Sequence, residues 1–329
     1  VGATATAFAG IDVSKDRLDA CLLLPGGKAK DAAFGDDPTG HAALLAWADR
    51  HAKGAAVHPG LEATGPYSEA PATALADAGR LVSVVNPTRV KDAGLARGRG
   101  NTTDRADARL IADYAAREKP PVWQPPPPEV RQPQALVRRL DDLRETAARE
   151  RGRLASPTLT GAARRSVERT VRLLEREATK VRDAADALVA AAPALEADRA
   201  LLESSPGVGR RTAVAVLAEL PPVGRLPSAG SAAYCGLAPS EFKSGAGVQK
   251  RTRLSKAGNA RLRQGLFLPT QAAVRFNPVL RRFFARMVAA GKPKMQAIGA
   301  WMRRLVMIGY GVLKNRAPFD PEWASKNTR

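Results

Sequence analysis

The chain has 329 residues, 44% of them hydrophobic and 26% charged, enough for two domains with cores of their own and too apolar for a disordered chain. The formal net charge is +20, of which residues 200–329 carry +17, residues 131–199 +4 and residues 1–130 −1; a field so concentrated attracts a polyanion to the last third of the chain. Two distant cysteines (Cys21, Cys235) and three histidines (His41, His51, His58) exclude a zinc site of ordinary spacing and suit a reducing, cytoplasmic setting.

No apolar run of membrane-spanning length occurs. The basic region also shows no sustained basic amphipathic helix with a Trp/Phe/Leu face, so nucleic acid, not a membrane, is the expected partner.

Ala7 to Leu24 reads as two short strands joined by a tight turn, with Gly26-Gly27 closing the second. Gly40 to Lys53 predicts a helix with Leu44, Leu45 and Trp47 on its apolar side. A strand over Ala55 to Glu62, an Ala-rich helix over Ser68 to Ala78 and a strand over Leu81 to Val85 follow, ended by Asn86-Pro87. This order of elements predicts an α/β domain with a mixed sheet. Thr103 to Arg117 predicts a further helix, and Lys119 to Pro128 is a Pro-rich break of linker type. From Val130 to Leu202, Arg, Leu, Glu and Ala recur at helical spacing, which predicts two long coiled-coil helices interrupted from Ser156-Pro157 to Gly161. A compact helical domain is expected from Ser204 to Leu313, and a loose tail from Ala317.

Four carboxylates stand out by position. Asp12 ends the first strand, Glu62 ends a later one, and Asp104 and Asp107, three apart, share one helix face. Converging, they would repel one another unless divalent cations neutralised them, and Mg²⁺ is the hard cation that takes oxygen ligands and leaves positions open for phosphate. Gly10, beside Asp12, lets a backbone or a phosphate come close. The plain alternative is an Asp at a strand end and a polar helix face.

In the basic region, Ser205-Pro206-Gly207-Val208-Gly209-Arg210-Arg211 before an apolar helix reads as a helix-hairpin-helix turn. Its backbone N–H groups and two arginines would hold phosphate. A simple Gly-rich turn is the alternative. Ser244-Gly245 sits in a polar loop, followed by Lys250, Arg251, Arg253, Lys256, Arg261 and Arg263 leading into a helix. A serine hydroxyl needs activation to act as a nucleophile, and no histidine lies nearby in sequence, so a Ser-His-Asp hydrolase is not supported. An ordinary loop serine is the alternative.

The run Gly10-Ile11-Asp12-Val13-Ser14-Lys15, then Glu62-Ala63-Thr64-Gly65-Pro66-Tyr67, Val85-Asn86-Pro87 and Thr103-Asp104-Arg105-Ala106-Asp107-Ala108, resembles the N-terminal DEDD domain of insertion-sequence family 110 (116/110/902) transposases. Residues 205–213 and 234–266 resemble the C-terminal serine domain of the same family. The resemblance implies a ribonuclease-H/RuvC-like first domain in which Asp12, Glu62, Asp104 and Asp107 bind Mg²⁺. It implies that Ser244 is a nucleophile forming a covalent phosphoserine link to DNA. It also implies a structured bridge RNA pairing with donor and target DNA, a homo-oligomer (dimer or tetramer) and a nucleoid-associated place in a bacterial cytoplasm. The expected division is a DEDD domain over 1–119, a linker over 120–129, a coiled-coil region over 130–202, a transposase domain with the helix-hairpin-helix over 203–316 and a tail over 317–329. One departure is Gly100-Asn101-Thr102, where the family pattern has a Lys just before the Thr-Asp pair. Two rival readings are a RuvC-like junction-resolving nuclease, which needs no Ser244, and a non-catalytic nucleic-acid-binding protein, which needs no divalent ion.

Overall fold

The computed structural model describes residues 6–63, 65–96, 98, 103–244 and 248–322, with backbone alone for residues 66, 241–244 and 248–252. The chain divides into two compact units, Val1–Pro125 and Pro126–Arg329.

The first unit runs β1 (Thr6–Val13), β2 (Arg17–Leu23), β3 (Ala29–Gly35), α1 (Pro38–Ala52), β4 (Ala56–Glu62), α2 (Pro66–Asp77), β5 (Ser83–Val85), α3 (Pro87–Leu95) and α4 (Asp104–Glu118). The sheet order is β3-β2-β1-β4-β5. The first three strands form an antiparallel meander, while β4 joins β1, and β5 joins β4, in parallel. Gly26 and Gly27 both take positive φ, 95° and 86°, in the turn between β2 and β3, a conformation that costs other residues a Cβ clash. Alternation along β1 sends Ala7, Ala9, Ile11 and Val13 to one face, where Ile11 and Val13 cluster with Leu44 of α1 and Leu75 of α2, and Ala7 and Ala9 with Ala48 of α1. The opposite face receives α4. This mixed sheet flanked by helices is consistent with a ribonuclease-H/RuvC-like fold.

Two elements here differ from the sequence reading. Ala29–Gly35 is an edge strand, although it is half-exposed throughout and carries Lys30 and Asp31 in place of an apolar run. Pro87–Leu95 is a helix, started by Asn86, whose side chain accepts from the Thr88 N–H at 2.8 Å. The Pro-rich stretch does not leave the sheet at once. The Trp123 N–H donates to the Val82 carbonyl at 2.7 Å, and the buried Ser83 hydroxyl lies 3.0 Å from the carbonyls of both Pro120 and Pro121.

The second unit runs α5 (Pro128–Arg153), α6 (Gly161–Ala191), α7 (Pro193–Glu203), α8 (Arg210–Glu219), α9 (Ser228–Tyr234), β6 (Pro239–Ser244), β7 (Val248–Leu254), α10 (Ala260–Gly265), α11 (Phe267–Phe276), α12 (Pro278–Ala289) and α13 (Lys294–Asn315). It is mostly α-helical. Helices α5 and α6 form an antiparallel hairpin, since Val130 and Val137 early in α5 share a core with Ala185 and Val189 late in α6. At the other end Arg151 pairs with Glu175 at 2.5 Å. The core of the remainder gathers on α13, through Met302, Leu305, Ile308 and Val312. The polar loop expected around Ser244 is instead a β-hairpin, with Ser244 as the last residue of β6, opposite Val248. Strand β7 carries Lys250, Arg251 and Arg253, and β6 has Phe242 as its one large apolar residue, so neither shows an apolar period. Helix α12 is also basic and Phe-rich, contrary to the reading that no such helix occurs. Its apolar side is used internally: Val279 and Leu280 are buried, and Phe284 stands edge-on to Trp301 at 4.3 Å.

Candidate active site

Glycine lets the helix that carries two of the acidic positions lie against the strands that carry the other two. Gly10 on β1 lies beside Gly60 on β4 in the parallel register. A Cβ on Gly10 would stand 2.0 Å from the Ala108 carbonyl oxygen and 2.3 Å from the Ala112 nitrogen of α4, and one on Gly60 would be 3.3 Å from the Ala115 side chain. The close approach read from Gly10 is therefore that of a helix backbone. One step further along the same face are Asp12 on β1 and Glu62 at the end of β4. The first turn of α4 holds Asp104 and Asp107. Thr103 caps that turn by accepting from the Ala106 N–H at 3.3 Å, and the helix dipole favours acidic residues there.

Electrostatics ties the four into one group. Burial, then Asp107, Asp104 and Asp19, push the Asp12 carboxyl up to about 6. Burial, then Asp12 and Asp107, push Glu62 up to about 7. Asp107 is raised by burial and by Asp104. Burial and like charge dominate all three. The nearest arginine in sequence is engaged elsewhere: Arg105 reaches Asp31 of β3, its Nε at 2.8 Å. The donor set is oxygen-only and short of positive charge, so its chemistry suits a hard divalent cation. Among the described residues, however, no three His, Cys, Asp or Glu side chains are grouped closely enough to hold an ion.

The basic candidates fall into distinct situations. Gly207 has φ +95°, and a Cβ there would be 2.3 Å from the Ala273 Cα of α11, so this glycine serves close packing. Gly209 is the N-cap of α8, with open space around it and no side-chain cap. Arg210 reaches Asp186 at 3.4 Å. Arg261 donates to the Arg138 carbonyl and to Asp142 at 3.1–3.2 Å. Arg263 donates to the carbonyls of Cys235 and Lys256 at 3.3 and 3.2 Å. Arg211, Arg253 and Lys256 are exposed. The side chains of Ser244, Lys250 and Arg251 lie outside the described residues, as do Thr64, Gly245 and residues 99–102.

Comparison with known proteins gives the family. Residues 9–162 match the DEDD transposase family of IS110, and residues 199–285 match the Transposase IS116/IS110/IS902 family. The chain is 30% identical over 317 residues to the pilin gene-inverting proteins of Moraxella bovis and Moraxella lacunata, covering 95% of this chain and 97% of each relative. The chain belongs to the IS116/IS110/IS902 transposase family. A protein of insertion element IS110 from Streptomyces coelicolor is 31% identical over 116 residues, 35% of this chain and 28% of that protein. As an IS110-family transposase, the protein is a DNA-processing enzyme of the transposase/recombinase class. No helix among its described residues is long and apolar enough to cross a membrane.

Two groups in this transposase escaped sequence reasoning. Asp19 of β2 lies directly across from Asp12, with Arg17 bound to it bidentately at 2.9 and 2.8 Å. Counting outward from the turn after Val13 pairs Asp12 with Asp19, so a signal was present. Glu219, with 2% of its side chain exposed, pairs with Arg138 at 2.7 Å and accepts from Asn259 at 2.8 Å. Nothing local in the sequence marks that triad, whose members come from α5, α8 and the cap of α10.

Proposed function

We propose that this transposase exchanges DNA strands through a Mg²⁺-dependent acidic site, Asp12, Glu62, Asp104 and Asp107, and a serine nucleophile, Ser244. The observation that carries the acidic half is the raised carboxyls of Asp12, Glu62 and Asp107 beside the Gly10–Gly60 notch, where α4 lies against the sheet. Bound among them, Mg²⁺ would offset charge on the transferring phosphate. Strand register fixes the backbone of Asp12 and Glu62, and the capped first turn of α4 that of Asp104 and Asp107, so holding an ion requires their side chains only to draw closer than they stand. In the covalent step the Ser244 Oγ–phosphorus bond forms as the bond from phosphorus to the neighbouring deoxyribose oxygen breaks. The leaving hydroxyl gains the proton that the serine gives up. The phosphoserine link conserves the phosphodiester, so strands rejoin without a nucleotide cofactor.

Specificity belongs in this reading to a bridge RNA pairing with donor and target DNA, which leaves the protein to bind backbone and shape. The Ser205–Arg211 turn acts as a helix-hairpin-helix, with Gly209, Arg210 and Arg211 presented to phosphate, and Lys250, Arg251, Arg253 and Lys256 add charge near the hairpin. The α5–α6 hairpin acts as a coiled-coil arm for a dimer or tetramer. The functional division is 1–119, 120–129, 130–202, 203–316 and 317–329, at work on the nucleoid. The pilin gene-inverting relatives, matched almost end to end, support recombination of DNA segments.

The test uses end-labelled substrate DNA with the guide RNA and Mg²⁺, followed by denaturation. Label should remain on the wild-type protein, and be absent from Ser244→Ala and from reactions in EDTA. Asp12→Asn should bind DNA yet transfer no strands. Wild-type recombination by Ser244→Ala would replace the serine route with a hydrolytic nuclease.

A further inference from the structure

Within the second unit, a cleft of about 460 Å³ opens between the α5–α6 hairpin and helices α8, α10 and α11. Its floor is apolar, with Leu140, Val214, Ala215 and Leu262 among the lining residues, and Leu268 stands in it 71% exposed. Arg144, Arg182, Arg211 and Arg261 also line it, together with Asp141, Asp186 and Glu219. Most of these charges are satisfied elsewhere. Glu219 is held by Arg138, Asp186 by Arg210, Arg182 by Asp183, and Arg261 by Asp142. That leaves Arg144 and Arg211 with Asp141, which approaches Arg144 only to 3.8 Å and is itself divided with Arg261 at 3.9 Å. The crowding is felt: burial first, then Arg211, bring the Arg144 guanidinium down to about 10. Two guanidiniums short of negative charge call for an anion.

We propose that this cleft receives one unpaired nucleotide of the bound nucleic acid, its phosphate between Arg144 and Arg211 and its base over the apolar floor. A phosphate alone would leave the floor and Leu268 wet, whereas a base covers them. A duplex cannot enter a cleft of this volume, so the site distinguishes single-stranded from paired nucleic acid. Arginine planes beside the base add stacking. The proposal rests on the strand-exchange reading, which requires strands to separate; it shares Arg211 with that reading and adds Arg144 and the apolar floor.

The test is fluorescence anisotropy with the full chain, a labelled single strand and a blunt duplex of equal length, over a salt series. Arg144→Ala should weaken single-strand binding about tenfold and reduce its salt slope by roughly 0.7, the value of one phosphate contact. Ala215→Phe, which fills the floor, should lower the ratio of single-strand to duplex affinity about tenfold with an unchanged salt slope. If Ala215→Phe does not fold, Leu268→Ala at the exposed position should lower the same ratio. A strand carrying 4-thiothymidine should cross-link under ultraviolet light to the peptide containing Leu268. An unaltered ratio and slope, with wild-type binding to both forms intact, would overturn the cleft alone. Failure of the wild-type chain to bind either form would overturn the cleft and the strand-exchange reading together.

Discussion

The Ala108 carbonyl oxygen of α4 stands 2.0 Å from where a Cβ on Gly10 of β1 would be. The two backbones touch at that point, and the helix that carries Asp104 and Asp107 is seated by it one residue pair away from Asp12 and Glu62. Gly10→Ala therefore cannot be absorbed by a side-chain rotation. Urea unfolding should show a loss of about 3 kcal/mol, the upper end of ordinary overpacking, and strand transfer should be lost with it. Gly60→Ala, where the contact is 3.3 Å to a methyl group, should cost about 1 kcal/mol. Equal costs at the two positions would mean that α4 does not rest on Gly10.

His58 provides a pH dependence of definite sign. Burial lowers its pKa below the usual 6.5, and its Nε2 lies 2.9 Å from the Ser83 hydroxyl. With the native value depressed, the unfolded chain binds the extra proton first. Stability is full above pH 6.5 and falls as the pH drops through the native pKa. His58→Gln keeps a donor for Ser83 and removes the titration. The stability difference between pH 7.5 and pH 5.5, measured by urea unfolding (about two pH units across the unfolded value), should be larger in the wild type than in this variant.

Arg253 and Lys256 should behave unlike Arg263. The first two are exposed, so replacing either with Ala should leave the thermal midpoint nearly unchanged. It should also lower the salt slope of duplex binding by roughly 0.9. Arg263 holds the carbonyls of Cys235 and Lys256. Arg263→Ala should cost about 2 kcal/mol in denaturant and act on DNA binding chiefly through that loss. A stable Arg263→Ala with a reduced slope would return this residue to the phosphate contacts.

Glu219 is the buried acid of the basic unit. Its removal takes the carboxylate from the Arg138 guanidinium and an acceptor from the Asn259 amide, so Glu219→Ala should cost about 3 kcal/mol. The double variant Glu219→Ala with Arg138→Met should recover part of that loss, because the uncompensated charge is gone. Additive losses in the double-mutant cycle would show that the pair is not coupled.

Legibility followed locality. The turn at residues 14–16, the apolar runs of β1 and β2 and the 3.6-residue period of α5 and α6 are written in neighbouring residues, and these elements stand near where expected, except that the second long helix ends at Ala191 and α7 follows from Pro193. Strand β3 was missed because its pairing with β2, not its composition, makes it a strand. Hairpin β6–β7 was hidden by its charge. The four carboxylates were visible as types and positions, while Asp19 and the Gly10–Gly60 seat required the strand register. Gly207 shows the opposite limit. A glycine in a basic turn suggests phosphate, but its positive φ and the backbone of α11 account for it.

The hydrogen bond from Trp123 to Val82 has a bearing on where the chain can be cut. Strand β5 is three residues long and forms one border of the sheet. The proline segment after α4 lies against it, and a segment without most of its N–H groups offers little to a second sheet. A fragment ending at Lys119 would bare Val82 and Ser83 and invite strand-to-strand association. A fragment ending at Pro125 carries its own cover. The same prolines that mark the boundary in the sequence thus keep the sheet of one molecule from continuing into the next.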